Sequence, residues 1–407
     1  MGVSFIYASA NSIFCALPGK GSPMRLQRVM TAGRWVPEID GLRFIAISSV
    51  LLLHIFFQMV SHAPDRLTLM NAHRDLYLRM GYLSRGVQLF FVISGFILAR
   101  PLVTEYVDGG KPRSLRAYYK RRLTRLEPPY ILALLIYTAF LILIPKARLG
   151  IIGPALLASV FYMHNVYGYF LHTYINIIPP AWTLEVEVQF YLIAPLLGLL
   201  YLARPAVLRR ALLVALIIVT AICPHGWTDR FGIYLPAQIC FFLIGYLLAD
   251  LRISENKAWK HWGWDIVGLV SWPALFLVPD RGDSLVLCLL LFVCFCSALL
   301  GPVSRQIVSM RWVALIGGMC YSIYLTHMIV LWAAFKVTHY ASHSSYVSVN
   351  YAIQLALLLP PILGFGFVYY ILIERPCMDP AWPSKLWAAV SGKRRPEEGP
   401  SAHMALD

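Results

Sequence analysis

Apolar residues in this chain come in long runs separated by short polar segments, not in strict alternation. Ten runs, at about 42–60, 82–103, 128–145, 182–203, 208–222, 231–250, 264–279, 284–301, 313–335 and 350–373, approach or reach the roughly 20 residues that cross a bilayer as helix. An eleventh run, 151–161, is shorter and leads into HNVYGYFLHTYINIIPP. The pattern predicts an all-α fold: a polytopic membrane protein of about ten transmembrane helices. Residues 1–34 read as a weakly ordered leader, or as sequence ahead of a true start at Met24 or Met30. Residues 35–378 read as the membrane domain, and 379–407 as a polar tail.

Composition agrees with the pattern. Of 407 residues, 59% are hydrophobic and 14% charged. The net charge of +15 does not mark a nucleic-acid binder, because the basic residues sit in short segments between apolar runs, where they orient the chain. With ten spans, most Lys and Arg fall on the side of the N-terminus. If 151–166 also crossed, they would divide almost evenly. The bias therefore predicts cytoplasmic N- and C-termini, with 151–166 on the outer side or re-entrant. The eight cysteines show no CxxC and no metal-ligand spacing; most lie inside spans and read as small buried hydrophobes.

Four polar clusters interrupt the apolar pattern. In EIDGLRFIAISSVLLLH (38–54), Arg43 and His54 are three helical turns apart on one face, with His54 about 16 Å further along. Asp40 precedes Arg43 by one turn and can pair with it. In AWTLEVEVQFYLIAP (181–195), Glu185 and Glu187 point about 200° apart, so both cannot face one cavity. GGMCYSIYLTH (317–327) carries His327 well along its span. In KPRSLRAYYKRRLTRLEPPY (111–130), Arg122 and Arg125 share a helix face among Arg113, Arg116, Lys120 and Arg121, a cation cluster suited to phosphates. Pro128 and Pro129 read as the first turn of the following span.

Each signal has a plainer reading. Arginines beside a span orient it or bind lipid. A histidine in a span can hydrogen-bond a neighbouring helix. Glu185 near a helix start suits the dipole. Jointly they suggest a phosphate-bearing ligand on the cytoplasmic side and proton-transfer groups in the outer half, since ionisable groups this deep must face protein or water.

Six motifs follow one another along the chain: EIDGLRFIAISSVLLLH, RGVQLFFVISGFIL, YYKRRLTRLEPPY, WTLEVEVQFYLIAP, CYSIYLTH and IERP. With them the chain resembles the acyltransferase-3 family of bacterial integral-membrane acyltransferases. Cys320 stands where a serine is common. The resemblance implies an enzyme of the bacterial cytoplasmic (inner) membrane that takes an acyl group, acetyl most commonly, from cytoplasmic acetyl-CoA or another acyl-CoA. The acceptor it implies is an outer-side hydroxyl, often on a glycan. It places the Arg-x10-His pattern on Arg43 and His54, RxxR on Arg122 and Arg125, the glutamate of the tryptophan motif on Glu187, and the late histidine on His327. On that footing His54 is the expected base for the acceptor hydroxyl, although His327 stays open as an alternative. Glu187 orients His54 or holds the acceptor. Arg122 and Arg125 grip CoA phosphates, while Arg43 guides the pantetheine arm or steadies the thiolate. An acyl-histidine intermediate is open, and no metal is expected. Nor is the SGNH hydrolase-like domain that some relatives append. A secondary transporter with midplane titratable sites, or a non-catalytic polysaccharide-assembly protein, is the competing reading.

Overall fold

A computed structural model describes residues 36–62, 70, 72–143, 149–171, 177–222, 235–253, 255, 257–278, 284–341, 344–379, 382 and 384. The expected leader (1–34) and nearly all of the expected tail lie outside these residues. Among them the chain is helical throughout: α1 (Pro37–Ser61), α2 (Arg74–Gly81), α3 (Gly86–Tyr106), α4 (Leu115–Ile142), α5 (Leu149–Val160), α6 (His164–Leu171), α7 (Trp182–Leu197), α8 (Ala206–Ile222), α9 (Leu235–Asp250), α10 (Gly263–Leu277), α11 (Ser284–Leu300), α12 (Pro302–Val308), α13 (Arg311–Gly318), α14 (Cys320–Thr338) and α15 (Val347–Tyr369).

Six described helical stretches are long and apolar enough to cross a membrane, and a seventh is if α11 and α12, bent by 89°, form one broken span. The helices at the expected spans 208–222, 231–250 and 264–279 are α8, α9 and α10, of 17, 16 and 15 residues. Within the described residues each is shorter than the roughly 20 residues of a straight crossing. The 151–166 segment divides into α5 and α6 around Tyr162, whose φ is +55°. The 12 residues of α5 rise about 18 Å, too little to cross alone.

Two expected boundaries are corrected. The basic segment before Pro128 is helix, because α4 begins at Leu115 under the Ser114 side chain, which accepts the Ala117 N–H at 3.4 Å. Pro128 and Pro129 therefore lie inside α4, not in its first turn. Pro128 lacks the N–H that would bond the Thr124 carbonyl. Trp382 Nε1 donates to that carbonyl at 3.0 Å instead. The expected span 313–335 is also broken: α13 ends at Gly318 and α14 starts at Cys320. Gly317 lets α13 approach α1, for a Cβ there would lie 1.7 Å from the Asp40 carbonyl oxygen.

Two apolar clusters meet at α1. One is built on α3, α7, α9 and α11, with Phe190 and Phe91 on either contact of Phe242 at centroid distances of 3.9 and 4.8 Å. The other joins α1, α4, α14 and α15. At one end of α9, Asp250 is buried between Arg209 (2.6 Å) and Arg210 (2.8 Å), so the buried carboxylate has its charge compensated. α3 and α9 touch backbone to backbone. A Cβ on Gly95 would meet the Phe242 carbonyl oxygen at 2.1 Å, and one on Gly245 the Phe96 nitrogen at 2.3 Å.

That contact yields a stability prediction. Gly95→Ala must separate α3 from α9, an overpacking cost of about 1–3 kcal/mol, and should lower the melting temperature of the purified protein in detergent. Gly81→Ala, where nothing lies within 4 Å of the new Cβ, should melt with wild type. Equal melting of all three proteins would contradict this packing.

Candidate functional site

α1 carries its polar residues on one face because Asp40, Arg43 and His54 follow the helical period. Arg43 is buried and ion-paired to Asp40, as the one-turn spacing leads one to expect. Eleven residues on, His54 meets another helix instead of a carboxylate. Its Nδ1 lies 2.9 Å from Nε2 of His327 on α14, with the rings stacked at 5.1 Å and 14°. Two histidines 273 positions apart are thus brought into direct contact.

The partners of His327 fix the direction of that bond. His327 is fully buried, and its Nδ1 reaches the carbonyls of Tyr324 at 2.8 Å and Ile323 at 3.1 Å. A carbonyl only accepts, so the hydrogen of a neutral His327 ring sits on Nδ1, leaving Nε2 an acceptor. His54 must then donate from Nδ1, and its Nε2 keeps the free lone pair. The geometry separates the two histidines: His327 has both nitrogens engaged, and His54, half-buried, engages His327 through Nδ1 alone. The carbonyls of Tyr324 and Ile323 thus set the direction of the bond between the two rings.

Among the described residues Glu187 makes no hydrogen bond to His54. One oxygen, Oε1, accepts from Ser94 Oγ and from Tyr191 OH, each at 2.5 Å. Glu185 points elsewhere, as the spacing requires: it is buried, and its Oε2 accepts the Asn165 N–H at 2.8 Å. Glu185 thereby ties α7 to the 149–171 segment.

Glu187 faces a cavity of about 720 Å³ that Arg43, Arg122 and Arg125 also line. Four of the six predicted site residues share this space; His54 and His327 do not line it. Arg122 stands over the ring of Tyr191 at 5.4 Å and that of Tyr118 at 5.9 Å, a stacking suited to its flat cation. Among the described residues, neither Arg122 nor Arg125 ion-pairs with a carboxylate, whereas Arg100 pairs with Glu255 and Arg252 with Asp108 in the same cavity wall. Along α1 the wall stops at Arg43, about 16 Å short of His54. Along α14 it continues to Tyr324, one turn from His327. No group of three or more His, Cys, Asp or Glu among the described residues could hold a metal ion.

Several residues at this site escape a charge-based reading of the sequence. Ser94 is one hydroxyl in the apolar RGVQLFFVISGFIL, and Tyr191 and Tyr324 look like ordinary aromatic residues of spans. Glu374, in IERP, is buried and accepts the Ser322 N–H at 3.0 Å and Ser322 Oγ at 2.6 Å. It holds the end of the last helix against the start of α14. Ser94, Tyr191 and Tyr324 therefore lie inside the quoted motifs without a formal charge or spacing to single them out, whereas Glu374 carries a charge.

Comparison with known proteins follows the same residues. O-acetyltransferase OatA of Staphylococcus aureus strain NCTC 8325 / PS 47 is 26% identical over 332 residues, covering 74% of this chain and 51% of the relative. The OatA proteins of strains COL and MRSA252 match with the same figures. The chain spans about half the length of the curated relatives it matches. No solved structure matches it. The acyltransferase domain family, acyltransferase-3, matches residues 36–372, from the start of α1 through the cavity to the last helix, and this chain belongs to that family.

Proposed function

We propose that the chain is a membrane O-acyltransferase that moves an acyl group, acetyl in the first instance, from cytoplasmic acyl-CoA to a hydroxyl of an outer-side glycan. The observation that carries this reading is the His54–His327 couple, held with His54 Nε2 free, one helical turn beyond an arginine-lined cavity. Membership in the family and the name of the OatA relatives support O-acetylation. The proposed setting is the bacterial inner membrane, with both termini cytoplasmic.

CoA is polyanionic at one end and carries its thioester on a long thin arm. Arg122 and Arg125 offer planar, permanent charges for phosphate, and they stand at the basic end of the cavity. The arm then runs past Arg43 and Glu187 toward α14. Arg43 lies too far along α1 to touch a thiolate at His54, so its role in this reading is with the donor's arm. Glu187, fixed by Ser94 and Tyr191, offers its second oxygen as an acceptor for an amide N–H of that arm.

At the far end His54 Nε2 removes the proton from the acceptor hydroxyl as its oxygen attacks the thioester carbonyl. The carbon–sulfur bond breaks, the acyl–oxygen bond remains, and the imidazolium returns its proton to the leaving thiolate. The products are an O-acyl ester and free CoA. His54 keeps its Nδ1–H throughout, so the positive ring is stabilised by His327 Nε2, itself held by two carbonyls.

General-base removal costs about 10²–10⁴ in rate. His54→Ala should therefore consume radiolabelled acetyl-CoA at that much lower rate while eluting like wild type on size exclusion. His327→Ala should fall between the two, because it frees the His54 ring without removing the base. Wild-type turnover by His54→Ala would sink the assignment.

Arg122→Ala and Arg125→Ala each delete a charge-assisted phosphate contact. Each should weaken acetyl-CoA binding roughly tenfold to hundredfold, read by calorimetry on the detergent-solubilised protein. The loss should be smaller for a donor analogue without phosphates. Unchanged affinity in both variants would remove the donor from this cavity.

A further inference from the structure

The cavity and the histidine pair are neighbours that do not connect. The wall of the cavity reaches Thr183 on α7 and Tyr324 on α14 and stops there. The rise from Tyr324 to His327 is three residues, about 4.5 Å, on nearly the same helix face. Tyr324 lines the cavity, and its ring centroid lies 6.4 Å from that of His327. Its hydroxyl is fastened twice to the start of α7: to Thr183 Oγ1 at 3.0 Å and to the Pro180 carbonyl at 2.5 Å. With the phenol in that position His327 has no exposed surface.

The two ends of this residue serve different purposes. Its carbonyl accepts the His327 Nδ1–H and so helps set the tautomer of the pair. Its side chain adjoins both the cavity and the ring of His327. Moving the side chain leaves the backbone contact intact, because rotation about χ1 does not displace the carbonyl. Thr183 and Glu187 are one turn apart on α7 and both face the cavity, so a ligand lying along Glu187 reaches the phenol's anchor next.

We propose that Tyr324 is a positioning residue that keeps the donor cavity closed off from His54 and His327, and that the acyl end of the donor must displace its phenol to react. This rests on the reading of the cavity as the donor site. Two consequences follow. Without a donor, the phenol keeps cavity water away from the histidine pair. With a donor, the space vacated by one phenol limits how large an acyl group can arrive, which makes Tyr324 a determinant of acyl length and short acyl groups the preferred class.

The test uses the purified full chain in detergent and compares wild type with Tyr324→Ala, Tyr324→Phe and Thr183→Val. The first readout needs no donor: carbethoxylation of His327 by diethyl pyrocarbonate, mapped by peptide mass spectrometry, with buried His164 as the folding reference. A closed state that opens a tenth of the time or less predicts a rise of roughly tenfold or more in His327 labelling for Tyr324→Ala. Tyr324→Phe and Thr183→Val, which keep the bulk and lose anchoring hydrogen bonds, should rise by less. His164 should not change. The second readout is the ratio of butyryl-CoA to acetyl-CoA turnover, expected to increase about tenfold in Tyr324→Ala, the scale of discrimination by one or two methylenes.

His327 labelling within about twofold of wild type in Tyr324→Ala would overturn the proposal, since an opened path must change the exposed fraction. If His164 labelling rises too, the alanine variant has lost its fold, and the phenylalanine and valine variants decide: no rise in either overturns the proposal. If His327 becomes accessible as expected but wild type turns over no acyl-CoA, the barrier stands and the acyl-CoA reading fails instead.

Discussion

One hydrogen bond between two imidazoles organises the site. It links α1 to α14 through His54 and His327, and its direction is set by backbone carbonyls that have only one way to bond. A neutral histidine has one donor and one acceptor nitrogen, so a ring engaged at both leaves its partner no choice. The base role proposed for His54 Nε2 would in this sense depend on the backbone of α14. The rest of the helical scaffold serves to bring these two helices together: Gly317 brings α13 against α1, and Glu374 anchors the beginning of α14 from the end of the last helix.

The second constraint is the cost of charge among apolar helices. Every deep ionisable group described here has a local remedy. Arg43 has Asp40, Glu187 has two hydroxyls, and Asp250 has two arginines. Arg122 and Arg125 stand apart. They have aromatic faces or cavity space instead of carboxylates, and an anion in the cavity would complete them. Among the described residues the site thus has a cationic end without a paired carboxylate at Arg122 and Arg125, and a histidine pair beyond Tyr324. A thioester donor with a phosphate-rich head fits that polarity.

Much of this was legible in the sequence, and the reason is periodicity. The spacings 40–43, 43–54, 122–125 and 185–187 each fixed a relative direction on a helix, and the structure keeps all of them. Helical character was equally legible from the apolar runs. What spacing does not encode is contact between helices. The pairing of His54 with His327 depends on how α1 crosses α14, so the sequence leaves Glu187 open as a partner for His54. Helix starts were misjudged where local chemistry overrides hydropathy: Ser114 caps a basic segment into α4, and Trp382 satisfies the carbonyl that Pro128 leaves open. Uncharged participants such as Ser94, Thr183 and Tyr324 carry no pattern that separates them from ordinary residues of a span.

The central claim is that a donor held by Arg122 and Arg125 delivers its acyl group toward His54 from one face of the membrane. Sealed proteoliposomes of known orientation test it most directly, with acetyl-CoA supplied to one face at a time and thioester loss followed in the presence of detergent-free acceptor glycan. The account predicts consumption only when acetyl-CoA meets the face that exposes Arg122 and Arg125, and none in the same vesicles carrying His54→Ala. Equal consumption from both faces, or consumption that persists without His54, would contradict it.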